Sequence, residues 1–316
     1  MVFLVTGGAG FIGRWVVKKL LTNYVEVVVI DNLSNGRKEN LAEFTDNPLF
    51  KEFIIGDITD KELVEKIFAA NKFSTCIHLA AQINVQESID HPEKAFKTNV
   101  LGTYNILEAA LKTNSKVILI GTCMVYDLAG SNIAISENHQ LKPSSPYAGS
   151  KLAAEVLALS YYHGLNLPVV ILRPFNTYGP FQKSNHEGGV VSIFVKNKLN
   201  DEKLLIYGDG TQTRDLLYIE DCAEFIVAAS VNEKCIGETI NAGTGQDISI
   251  KELATLIVQN EDLIEYKTHH HPQSEISKLV CDISKAKQLL DWQPKTSLVK
   301  GINLLEMWMK TKKRII

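Results

Sequence analysis

The chain has 316 residues, 45% of them hydrophobic and 22% charged, with 33 Lys and Arg against 36 Asp and Glu for a net charge of −3. That length exceeds one small core, so two unequal lobes are expected. The even charge balance excludes bulk binding to nucleic acid or to an anionic membrane surface, and the one basic cluster, Lys310–Arg314, reads as a solvated helix end. Met1–Thr6 is apolar but runs straight into a glycine loop, so no secretory signal is expected, and no run approaches ~20 apolar residues. The five cysteines (Cys76, Cys123, Cys222, Cys235 and Cys281) lack paired spacing and read as free thiols of a reducing, cytoplasmic compartment.

Short β-branched runs are predicted as strands at Val2–Thr6, Val25–Asp31, Phe53–Gly56, Thr75–Ala80, Lys116–Gly121 and Pro168–Leu172. Helical periodicity alternates with them at Phe11–Thr22, Asp60–Ala70, Glu93–Lys112 and Pro146–His163. Such alternation predicts an α/β fold, a Rossmann-type doubly wound parallel sheet over residues 1–174. After Arg173 the loops lengthen and glycine pairs appear. Helices are expected at Gly189–Leu199, Glu220–Ser230, Ile250–Gln259, Ser284–Leu290 and Leu298–Thr311. Residues 175–316 are read as a smaller C-terminal α/β substrate lobe, with some segments returning to the first domain.

Thr6–Gly13 follows a strand and opens a helix. Gly7, Gly10 and Gly13 let the backbone approach a pyrophosphate, and the helix start offers free N–H groups. Asp31 ends the next strand, 18 residues after Gly13, where a carboxylate accepts from an adenosine ribose and repels a 2′-phosphate. NAD is therefore expected over NADP, a preference that nearby Arg37 weakens. Asp57 suits either an adenine amino group or the cap of the following helix. His78 reads as a buried strand residue, ahead of the small residues of Leu79, Ala80 and Ala81 that suit close passage of a dinucleotide.

Ser145 and Pro146 look like the cap and first residue of a helix, which sets Tyr147 and Lys151 at i and i+4 on one face. A neighbouring ammonium and a positive nicotinamide lower a phenol's pKa from its usual ~10, making a base that removes a hydroxyl proton as hydride leaves. A solvent-facing Tyr/Lys pair is the plain alternative, and the glycine loop argues against it.

Together these motifs are similar to those of an extended short-chain dehydrogenase/reductase, in the NAD-dependent epimerase/dehydratase family that acts on nucleotide sugars. The resemblance runs through Thr6–Gly13, Asp31–Gly36, His78–Gln82, Asn99–Thr103, Tyr147/Lys151, Arg173–Pro180, Gly208–Gly210, Arg214-Asp215, Asp282–Ala286 and Trp292–Pro294. It implies cofactor contacts from Phe11, Ile12, Asn32, Ser34, Ile58, Leu79, Ala80, Ala81, Asn99 and Pro174. Thr122 becomes a third catalytic hydroxyl. Asn176, Val190, Tyr207, Arg214 and Glu275 become substrate-binding, Arg214 at a pyrophosphate. A UDP-linked nucleotide sugar as substrate and a homodimer built through a four-helix bundle are further implications. Leu152, Val156 and Leu159 are compatible with that bundle and equally with burial inside the monomer.

Two departures stand out. Hexose 4,6-dehydratases of the family place Asp and Glu directly after that Thr; here Cys123 and Met124 follow. Met has no acid/base chemistry, whereas Cys can carry a proton. The Thr-Cys pair resembles the branch acting on UDP-N-acetylhexosamines and 5,6-ene sugars, which makes Cys123 a candidate proton carrier and leaves simple 4-epimerisation as the alternative. A non-catalytic NAD or nucleotide-sugar sensor is a third reading. Near Glu275 the usual Arg is missing and His269, His270 and His271 precede; one of them is a candidate phosphate ligand, and no metal site is expected.

Overall fold

In the computed structural model, residues 1–127, 133–184, 189–268 and 278–313 are described. Seven strands form the main sheet, in the order Thr239–Ala242, Val169–Pro174, Lys116–Ile120, Phe73–His78, Val2–Thr6, Glu26–Asp31, Phe50–Ile55. The six strands from Val169–Pro174 onward pair in parallel. Along the outermost pair, Gly237 N–H donates to the Val169 carbonyl and Ile171 N–H to that of Glu238, so this strand also advances in the parallel sense. Register sets Thr6 opposite both Ile30 and His78.

A parallel sheet needs both faces covered, and the strand period of two supplies two apolar sets. Leu4, Val28, Ile30 and Cys76 belong to one buried cluster with Val64, Ile67 and Phe68 of helix Lys61–Ala70, Ile106 and Leu107 of helix Thr103–Thr113, and Ala154 and Ala158 of helix Pro146–Leu165. Phe3, Val5, Val27 and Val29 alternate with them and are equally buried. The strand order reverses between Val2–Thr6 and Phe73–His78, and ligands of such sheets bind at the carboxyl ends near that reversal.

Chain contacts divide the molecule into two units: Met1–Val125 with Lys142–Arg173 and Ala223–Ile240, and Tyr126–Leu141 with Pro174–Cys222 and Asn241–Ile316. The second unit holds a three-stranded sheet of Asp247–Ser249, Thr213–Tyr218 and Asn176–Tyr178, and a parallel pair, Leu204–Tyr207 with Ile264–Lys267. Buried Asp215 fastens it, accepting from the Thr244, Gly245 and Cys281 backbone N–H groups and the Thr244 hydroxyl.

Several element bounds differ from expectation. The edge strand is Phe50–Ile55 rather than Phe53–Gly56; Lys51 and Glu52 face solvent there and hide the apolar pattern. A short helix, Val85–Asp90, was not expected at all, and the predicted Glu93–Lys112 helix contains a π-helical stretch, Phe96–Gly102. Among the described residues, no helix is long and apolar enough to cross a membrane.

Candidate active site

The glycine loop closes on itself and on the next strand. Gly7 takes φ +69°, and a Cβ there would meet the Ala80 backbone N at 2.8 Å; a Cβ on Gly13 would collide with the Gly7 carbonyl. Helix Phe11–Thr22 then starts at Gly10 with no side-chain cap and no acidic residue in its first turn. Its N–H groups and positive dipole end are left for an outside anion. Phe11 and Ile12 are half-buried within that turn. Asp31 is buried, and its two oxygens accept from Ala9 N–H at 3.0 Å and Leu33 N–H at 2.8 Å. Burial pushes its carboxyl above the usual range against those two bonds.

Asn32 and Ser34 are exposed on the following turn, where Asn32 donates to Asp57 Oδ2 at 2.8 Å. Asp57 Oδ1 accepts from the Thr59 backbone and hydroxyl, both at 2.8 Å. The helix cap is instead Asp60, which accepts from Leu63 N–H. Capping therefore does not account for Asp57. Ile58 is buried, its carbonyl held by Asn105.

A hydrogen-bonded spine joins this loop to the second half of the site. Thr103 spends its hydroxyl proton on the Asn99 carbonyl at 2.6 Å, so His78 Nε2, 3.0 Å away, must carry a proton and donate to Thr103. His78 Nδ1 is then an acceptor for the Thr6 hydroxyl at 2.7 Å, and that hydroxyl also receives Ala80 N–H. Burial first, and the Lys151 charge second, lower the His78 pKa to about 3, so the ring is neutral. Asn99, 1% exposed in the π-helical stretch, exchanges two bonds with the Gln82 backbone and donates to Ser150 Oγ at 2.9 Å. Ser150 in turn donates to the Tyr147 carbonyl. Leu79, Ala80 and Ala81 lie on the chain between His78 and Gln82, each half-buried.

Helix Pro146–Leu165 starts as its sequence indicates, with Ser145 accepting from Ala148 N–H and Pro146 in the first turn. Ser88, fully buried and unforeseen, supplies a second cap: its Oγ accepts Tyr147 N–H at 3.0 Å. Tyr147 and Lys151 do share one face. The Thr122 hydroxyl interacts with the Tyr147 phenol, which burial nonetheless pushes up to about 12. Lys151 Nζ donates to the Ile120 carbonyl at 2.5 Å, and burial brings its ammonium down to about 8. Cys123 is 3% exposed within the short turn Cys123–Val125, and Met124 beside it is half-buried with its N–H on Thr122 Oγ1. Thr122, Cys123, Tyr147 and Lys151 thus converge at one strand end.

The remaining residues lie in the second unit. Pro174 is buried at the end of its strand, and Asn176 has a buried Oδ1 without a hydrogen-bond partner among the described residues, an acceptor left for a ligand donor. Val190 opens helix Val190–Leu199, Tyr207 ends a strand, and Arg214 is half-buried with Nη1 on the Thr213 carbonyl. Glu275 and His269, His270 and His271 lie outside the described residues. Among the described residues no cluster of His, Cys, Asp and Glu could hold a metal.

The family model for GDP-mannose 4,6 dehydratase matches residues 4–305. The solved structure of Pal from Bacillus thuringiensis is 56% identical with a TM-score of 0.97, covering 99% of this chain and 100% of that one. UDP-glucose 4-epimerase from Thermus thermophilus, solved in complex with NAD, is 32% identical with a TM-score of 0.88, covering 98% of this chain and 99% of that one. A UDP-N-acetyl-alpha-D-glucosaminuronate decarboxylase of Bacillus cytotoxicus is 33% identical over 319 aligned residues, 97% of each chain. With its glycine loop, its Asp31 and its Thr122, Tyr147 and Lys151 cluster, the chain belongs to the GDP-mannose 4,6-dehydratase-like family of NAD-dependent nucleotide-sugar epimerases and dehydratases.

Proposed function

We propose that the protein uses NAD to oxidise C4 of a UDP-sugar transiently, and that the sugar is a UDP-N-acetylhexosamine or its 6-deoxy-5,6-ene derivative. The glycine loop, uncapped helix start and Asp31 fit the cofactor, with Asn32, Ser34, Ile58, Ala80, Ala81, Asn99 and Pro174 around it. Bound there, NAD would supply the hydride acceptor and a positively charged ring. Tyr147 takes the C4 hydroxyl proton, Lys151 favours the phenolate, and the Thr122 hydroxyl donates to the same sugar oxygen. Arg214 pairs with the pyrophosphate, while Asn176, Val190, Tyr207 and Glu275 hold the sugar and base.

The observation that carries the substrate assignment is the uncharged strand end. Cys123 is the one side chain of the Thr122–Cys123–Met124 run with a titratable group, and it is buried close enough to influence Tyr147. We assign it the proton transfer at C5 or C6. The relative named for a UDP-N-acetylated sugar supports the substrate class. The test supplies UDP-GlcNAc, UDP-glucose and a 5,6-ene derivative in D2O, followed by NMR. Deuterium at C5 or C6 that vanishes in Cys123→Ala is expected. A product of unchanged mass with inverted C4 and no deuterium would establish 4-epimerisation instead, with Cys123 and Met124 lining the pocket. No turnover with NAD still bound would establish a sensor.

A homodimer belongs to the same proposal. Phe96, Leu101 and Tyr104 of the segment Phe96–Thr113 and Val156 of helix Pro146–Leu165 are apolar and exposed, Val156 by 60%. Such side chains on two neighbouring helices fit a four-helix contact with a second copy.

A further inference from the structure

Tyr147, Lys151 and Glu155 occupy i, i+4 and i+8 of one helix, yet the chemistry above uses only the first two. Glu155 is 1% exposed. Arg173, on the strand Val169–Pro174, donates to its Oε2 from Nε at 3.0 Å and Nη2 at 2.6 Å. The other oxygen, Oε1, lies against Gly121, and the Thr122 backbone N–H acts on the same carboxylate. A Cβ on Gly121 would collide with that oxygen and reach Arg173 Cγ at 3.1 Å. Gly121 is thus a cradle for the carboxylate, on the residue that precedes Thr122. A buried ion pair seldom repays its desolvation as stability, so one this close to the site invites another role.

The charges run in a ladder: Arg173 positive, Glu155 negative, Lys151 positive, and Tyr147 at the end. Glu155 also acts on Tyr147 directly, raising the phenol together with Cys123, and neutral His78 faces the Lys151 charge. Desolvation works against the Lys151 ammonium, and the Glu155 charge opposes that effect. Burial raises the Glu155 carboxyl above its usual range, and the Arg173 guanidinium, the Lys151 ammonium and the Thr122 backbone N–H all work toward its ionised form. We propose that Glu155 is a positioning residue whose carboxylate, held by Arg173 and cradled by Gly121, keeps Lys151 protonated and so sets the pH range in which Tyr147 works. This rests on the reading that Tyr147 and Lys151 perform the hydride chemistry.

The test uses the full chain labelled with 13C-lysine, the Lys151 Cε signal being assigned by its loss in Lys151→Arg. In Glu155→Gln the carboxylate's charge is lost, its shape is kept, and Arg173 is left unbalanced. The Lys151 titration midpoint should fall by at least one pH unit, a tenfold change in the ammonium equilibrium. The basic limb of kcat/KM should move down with it, while Glu155→Asp keeps both in place. Glu155→Gln with Arg173→Met removes both charges and should bring the midpoint back toward the parent value. If Glu155→Gln does not fold, this double variant carries the measurement against Arg173→Met alone, with the midpoint lower in the double variant when the carboxylate acts as proposed. An unmoved Lys151 midpoint, or a pH profile lowered in height with its limbs fixed, overturns the proposal. A midpoint that moves without the kinetic limb supports the Glu155–Lys151 coupling and counts against Lys151 as a catalytic group.

Discussion

Asn99 donates to Ser150 Oγ at 2.9 Å and so fastens the π-helical stretch to the helix that carries Tyr147. The same side chain satisfies the Gln82 N–H and carbonyl. Asn99→Ala strands those buried groups, each unpaired group costing about 1–3 kcal/mol. The urea midpoint should drop accordingly, and turnover should fall further than cofactor affinity. An Asn99→Ala protein as stable as the parent would show that the spine is dispensable.

His78 makes a pH prediction. Its folded pKa, about 3, lies below the unfolded value of ~6.5, so its contribution is fully present above pH 6.5 and is lost as pH falls toward 3. The decline should approach about 1.4 kcal/mol per pH unit. Asp31 and Glu155, with raised carboxyl pKa values, act in the opposite sense, so the comparison must be with His78→Asn. Denaturation curves at pH 7, 6 and 5 should converge for the two proteins as acid is added. In 15N spectra the ring should remain the Nε2-protonated tautomer down to pH 5.

Tyr147→Phe should lower turnover by about 10²–10⁴-fold, the usual share of a positioned acid/base group, and leave NAD binding within a factor of a few. Lys151→Met should also lower turnover, with weaker NAD binding. Rapid turnover by Tyr147→Phe would move the proton chemistry to another residue, Cys123 first.

Val156→Glu places a charge on the exposed apolar face and should shift sedimentation from a dimer to a monomer with little change in melting temperature. Leu101→Glu should do the same. Unchanged sedimentation in both would remove this face from the assembly.

Much of the site was legible because its residues follow parallel strands, where glycine spacing, a terminal acid and helix-start chemistry leave local marks. Thr6–Gly13, Asp31, Ser145 and Pro146 carry that kind of information. Ser88 and Glu155 do not: Ser88 sits on a six-residue helix too short for periodicity, and Glu155 looks like any helix glutamate until Arg173 is folded against it. Asn99 was marked only by resemblance, since its bonds to Gln82 and Ser150 span 17 and 51 residues. Asp57 was ambiguous because two nearby aspartates could cap one helix, and Asp60 takes that place.

Asp31 has a consequence for how such a protein could change its redox partner. Its oxygens tie down the Ala9 and Leu33 amides before any ribose arrives. Replacing it with a neutral residue to admit a 2′-phosphate would also loosen the turn that receives the pyrophosphate. On the reading of Asp31 as the ribose acceptor, a change from NAD to NADP at this position would disturb both turns at once.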